Sequence, residues 1–73
     1  MRLKIRIDTI DKVKEFSALA MKFNVDIDVI NDRYVVDAKS IMGLFSIDLA
    51  KTLEMEIHSD DCSIRDAFSK FIV

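Results

Sequence analysis

Apolar and polar positions alternate from the first residues of the chain. Leu3, Ile5 and Ile7 fall on one side, and Arg2, Lys4 and Arg6 on the other, which predicts a strand with one buried and one wet face. The period then changes. From Ile10 to Phe23 the residues Ile10, Val13, Phe16, Leu19 or Ala20, and Phe23 recur at helical spacing, so an amphipathic helix is expected. Asp8-Thr9 offers its N-cap, Asp11 suits its first turn, and Asn24 can end it. Val25, Ile27 and Val29 next alternate with Asp26, Asp28 and Ile30, and Tyr34 to Ala38 is a second extended run. The intervening Asn31-Asp32-Arg33 is a turn candidate because Asn and Asp tolerate positive φ, so the two runs make a hairpin.

Ser40 stands where a second helix should begin, its hydroxyl placed to cap free N–H groups of the first turn. Ile41, Leu44, Phe45 and Leu49 carry helical spacing to about Lys51, with the chain's one glycine, Gly43, inside the helix and its start expected to be short or irregular. Leu53, Met55 and Ile57 alternate with Glu54, Glu56 and His58 as a fourth strand. Ser59-Asp60-Asp61 is a turn and cap, and Ile64, Ala67, Phe68, Phe71 and Ile72 line a last helix running to the end of the chain. The order is β-α-β-β-α-β-α, an α+β domain. Basic Arg2, Lys4 and Arg6 on strand one complement Glu54 and Glu56 on strand four, but also Asp26 and Asp28 on strand two. Charge alone therefore leaves the strand order open.

Seventy-three residues, 51% hydrophobic and 33% charged, suit a single globular domain over residues 1–73 with one core. A net charge of −2 argues against nucleic acid, whose binding needs a surplus of Lys and Arg on one face, and weakly against anionic membranes. No apolar run approaches the ~20 residues of a membrane span. The lone Cys62 has no internal disulfide partner and fits a reducing compartment, so a cytoplasmic location is expected.

Chemistry is sparse. One His and one Cys make no metal-ligand cluster, and no Gly-rich phosphate loop is present. His58 reads as a solvated residue at the end of strand four. Cys62 opens the last helix, but Asp60 and Asp61 beside it oppose a thiolate. Glu54 and Glu56 read as sheet-surface charges. No catalytic residue, metal or cofactor is expected, and the chain does not read as an enzyme. Ser40 stands out by position: a phosphate there would meet the positive end of the second helix, although a cap alone also explains it. Ile41, Met42 and Phe45 exceed what the core needs beside Leu44, Ile47 and Leu49, so they are candidates for an outward patch. A wholly core role is the alternative.

The run Ala38-Lys39-Ser40-Ile41-Met42-Gly43-Leu44-Phe45-Ser46, continued by Leu49-Ala50-Lys51 and Glu54-Met55-Glu56-Ile57, resembles the HPr family, the small phosphocarriers of the bacterial sugar phosphotransferase system. That resemblance implies an open-faced β-sandwich: a four-stranded antiparallel sheet in the order 1-4-2-3 with three helices on one face. It implies a regulatory serine at Ser40, phosphorylated by HPr kinase/phosphorylase, and a docking surface on Ile41, Met42 and Phe45 next to Lys39. Its phosphocarrier histidine, set in Gly-x-His-Ala-Arg-Pro, would fall at Thr9 within Ile7-Asp8-Thr9-Ile10-Asp11-Lys12, which holds no His, Arg or Pro. The function implied is a non-catalytic regulator or adaptor, with phosphotransferase-system enzymes or a transcription regulator as partners. The alternatives are a carrier using an unorthodox residue and an interaction module that shares only the fold.

Overall fold

Arg2 lies opposite Glu56 and Lys4 opposite Glu54 in the first strand pair, as the opposed charges favour. This pairing joins β1 (Arg2–Ile5) to β4 (Leu53–Ile57), and β4 then joins β2 (Ile27–Asn31), which joins β3 (Tyr34–Asp37). All three pairings are antiparallel, giving the order β1-β4-β2-β3. The helices are α1 (Ile10–Ala20), α2 (Ile41–Leu44) and α3 (Cys62–Ala67). The computed structural model describes residues 1–73.

The strand alternation builds one core. Ile5, Ile27, Val29, Leu53, Met55 and Ile57 point inward and join Val13, Phe16 and Ala20 of α1, Leu44 of α2 and Ile64 of α3 in a single buried cluster. Phe16 centres an aromatic group, with ring centroids 5.2 Å from Phe68 and 5.4 Å from Phe71. The outer face is charged. The Arg2 guanidinium reaches Glu54 at 3.6 Å and Glu56 at 3.4 Å. Arg6, beyond the end of β1, turns to Asp8 at 3.5 Å. Asp28 faces both Glu56 and Asp37 in register. Arg2 relieves that like-charge row at its Glu56 end, and His58 Nε2 lies 2.9 Å from Oδ2 of the central Asp28.

All three helices are shorter than the periodicity predicts, and local hydrogen bonds explain each stop. α1 ends at Ala20, because the Lys22 and Phe23 N–H groups donate three residues back, to the Leu19 and Ala20 carbonyls, tightening the last turn. Phe23 still rests on the core from that turn, but Ile10 is 63% exposed rather than buried. α2 is a single turn, not a helix to Lys51. The Ser46 hydroxyl donates to the Gly43 carbonyl at 2.6 Å and the Asp48 carboxylate accepts from the Ala50 N–H at 3.1 Å, side-chain alternatives to a helical ladder. Ile47 and Leu49 therefore meet the core from turns. α3 stops at Ala67 instead of running to the end. The Val73 N–H donates to the Lys4 carbonyl, the Arg6 N–H to the Phe71 carbonyl, and Ile72 bridges Ile5, so the tail lies along the free edge of β1.

The caps follow the sequence. Thr9 Oγ1 accepts from the Lys12 N–H at 3.1 Å, and Asp61 Oδ1 from the Ser63 N–H at 2.9 Å and the Ser63 hydroxyl at 2.7 Å. The side-chain and then the backbone hydrogen bond from Ser63 hold the Asp61 carboxyl below its ordinary 3.8. A carboxyl lowered by folding adds stability that is complete above the unfolded value and is lost as pH falls through the lower folded value. Asp61→Asn caps about as well, so it should change neutral-pH stability little. It should flatten the loss of thermal stability on acidification below 3.8, which a melting series across that range would read.

Candidate functional site

The strand-to-helix junction after β3 is built by the local sequence. The Asp37 side chain accepts from the Lys39 N–H at 2.9 Å, its carbonyl accepts from the Ser40 N–H at 3.0 Å, and the Ala38 N–H donates to the Ile27 carbonyl at 2.9 Å. These bonds fix the turn and leave Ser40 in extended backbone (φ −97, ψ 100) as the N-cap of α2. Ser40 Oγ accepts from the Gly43 N–H at 3.2 Å. Gly43 serves here by close approach: a Cβ on it would sit 3.2 Å from Ser40 Oγ and 3.5 Å from Val36 Cβ. Because α2 has one turn, its dipole is small. What a phosphate on Ser40 would meet is the exposed first-turn N–H of Gly43 and the neighbouring Lys39.

The expected apolar patch divides. Leu44 is buried, Ile41 is half-buried against the core, Met42 is 82% exposed and Phe45 44%. Two large apolar side chains thus stand in solvent directly after Ser40. Ile10 is exposed at the start of α1 and Met21 at its C-cap; the helical periodicity that includes Ile10 marks a face without saying how much of it other elements cover.

Thr9, at the start of α1, sits in a different field. Asp8 Oδ1 pairs with Lys12 Nζ at 3.0 Å, and Asp11 occupies the first turn. The Lys12 hydrogen bond first, then the Asp8 backbone and the Lys12 and Arg6 charges, keep the Asp8 carboxyl below its ordinary range. The register puts Ile5 beside Leu53 and Ile27 beside Ile57. His58 therefore lies at the opposite end of the sheet from the β1 exit that leads to Thr9. Cys62 is exposed at the start of α3. Among the side chains no group of three or more His, Cys, Asp or Glu gathers in metal-ligating geometry, and no helix is long and apolar enough to cross a membrane.

A family model described as the PTS HPr component phosphorylation site matches residues 12–72. Among solved structures, a phosphocarrier protein HPr from Bacillus anthracis str. Ames superposes with a TM-score of 0.77 at 23% identity, covering 100% of this chain and 96% of its own. HPr-C-His from Thermoanaerobacter tengcongensis gives 0.79 at 24% identity, covering 96% and 88%. Crh, the Bacillus subtilis catabolite repression containing protein, found as an intertwined dimer with a swapped domain, gives 0.64 at 28% identity, covering 96% and 79%. No curated protein matches the sequence.

Proposed function

The chain belongs to the HPr family, and on that premise we propose that it acts in the cytoplasm as a non-catalytic regulator or adaptor, switched by phosphorylation at Ser40 and working without a phosphohistidine. Members of the family are phosphocarriers rather than catalytic enzymes. The observation that carries the reading is a contrast between two helix starts. An exposed Ser40 hydroxyl is followed directly by exposed Met42 and Phe45, whereas the start of α1 offers Thr9 between Asp8 and Asp11. The likeness to a catabolite repression protein supports the same reading.

Phosphorylation would add about −1.5 to −2 charge beside the apolar patch. Lys39 tempers that charge without cancelling it. Partners offering Arg or Lys beside an apolar contact for Ile41, Met42 and Phe45 would be recruited, and acidic partners repelled. HPr kinase/phosphorylase would write the mark, and phosphotransferase-system enzymes or a transcription regulator would read it.

The test is incubation with HPr kinase/phosphorylase and ATP, followed by mass spectrometry. One phosphate on Ser40 is expected, and none on Ser40→Ala. That variant should also lose about 1 kcal/mol of stability through its cap, whereas Ser40→Asp should lose little. Absence of phosphate under conditions that modify a genuine HPr would remove the switch and leave a binding module.

A further inference from the structure

The two edges of the sheet are unlike. The β1 edge is closed by the C-terminal tail, through Arg6 N–H to the Phe71 carbonyl at 2.8 Å, Val73 N–H to the Lys4 carbonyl at 3.0 Å and the Ile5–Ile72 bridge. The β3 edge has no such cover. The Ala38 N–H donates to the Ile27 carbonyl, so the bonded pairs of the β2–β3 ladder are Ile27–Ala38, Val29–Val36 and Asn31–Tyr34. The N–H and C=O groups of Val35 and the N–H of Asp37 consequently point away from β2. None of the turn or cap bonds uses the Val35 groups. Natural edges are blunted by shortness, charge, lysine, proline, a bulge or a covering element; β3 carries no lysine or proline, and its four-residue length and Asp37 are what limit it. Its side chains are open too, with Tyr34 63% and Val35 61% exposed. Val35 lies beside Ile30 in register, an apolar pair on an otherwise charged outer face.

The sequence along this edge is complementary to itself. In an antiparallel pair of β3 strands centred on Val35, Val35 faces Val35, Tyr34 faces Val36, and Arg33 faces Asp37 at both ends. The Val35 groups then bond reciprocally, and each Asp37 N–H meets the Arg33 carbonyl of the other strand. Neither the Arg33 nor the Asp37 side chain has an ion-pair partner within the chain. We propose that two copies of this chain associate through β3 in this register, forming one continuous sheet across both molecules. A short edge buries less than a standard interface, so association is weak, in the micromolar to millimolar range. It does not depend on the role of Ser40.

Sedimentation velocity over that concentration range, at neutral pH and low salt, reads the dimer directly. Arg33→Asp sets Asp against Asp at both ends and should weaken association on the order of tenfold or more. Asp37→Arg sets Arg against Arg and should do the same. An equimolar mixture of the two variants restores opposite charges at both ends and should recover association. Val35→Pro removes an outward N–H without touching the β2 ladder and should abolish it. In the unaltered protein, hydrogen exchange of the Val35 and Asp37 amides should slow with concentration. This readout stands even if a variant fails to fold. A protein that stays monomeric to millimolar concentration overturns the proposal. So does a dimer indifferent to these substitutions, which would be held by another surface or by exchange of a strand.

Discussion

Phe68→Ala should cost about 3–5 kcal/mol of folding stability and leave much of the protein unfolded at ordinary temperature. Phe68 is fully buried. Its ring lies 5.2 Å from Phe16, 5.9 Å from Phe23 and 6.5 Å from Phe71, so truncation opens a cavity among three aromatic neighbours that are themselves fixed. A domain of this size sits near the lower end of the ~5–15 kcal/mol of natural stabilities, so one such cavity consumes a large part of it. Phe68→Leu keeps most of the volume and should cost less than about 1.5 kcal/mol. Phe45→Ala is the control. Phe45 is 44% exposed, and its loss should fall near or below about 1 kcal/mol, the centre of the range for point substitutions. Urea unfolding of the three variants checks the ranking. If Phe45→Ala rivals Phe68→Ala, Phe45 is a core residue and drops out of the proposed docking patch.

That ranking shows where the sequence was readable. Strict alternation in Leu3, Ile5, Leu53, Met55, Ile57, Ile27 and Val29 marked the inward faces of three strands, because a pleated strand sends successive side chains to opposite sides. The bases of β1 and the glutamates of β4 made their adjacency sensible. They could not exclude β1 beside β2, and the order 1-4-2-3 came only from the family resemblance. Helix existence was legible, and helix length was not. The apolar spacing through Ile47 and Leu49, or through Phe71 and Ile72, is satisfied equally by turns that return the same side chains to the core. What stops each helix is local: the Ser46 hydroxyl on the Gly43 carbonyl, or backbone groups of β1 waiting for the chain end. The caps Thr9, Ser40 and Asp61 were legible, since their signal is one residue type at one junction. The exposure of Ile10 and the openness of the β3 edge depend on which elements fail to cover them, which no local pattern records.

The start of α1 carries the other large effect. Thr9→His should leave the protein inert as an acceptor of phosphate from enzyme I, and Thr9→His/Asp11→Arg should raise transfer on the order of a hundredfold above that single variant. The reason is electrostatic. A phosphorylated ring at position 9 carries about −2 charge. At about 6 Å in water-like surroundings, each carboxylate opposes it by roughly 1–2 kcal/mol. Asp8 is partly neutralised by Lys12 at 3.0 Å and Arg6 at 3.5 Å. Asp11 has no ion-pair partner and stands in the first helical turn, where the family resemblance would place an arginine. Reversing its charge converts repulsion into attraction, a change of about 3 kcal/mol, or roughly a hundredfold in rate if it is felt fully in the transition state. Loss of the Thr9 hydrogen bond to the Lys12 N–H costs about 1 kcal/mol of stability in both variants and so cancels from the comparison. The measurement is label transferred from phosphoenolpyruvate through enzyme I to each variant, with circular dichroism confirming that both are folded. Equal transfer to the single and double variants would show that the carboxylates are not what opposes the phosphoryl group, and the case against a histidine relay would then rest on the absent side chain alone.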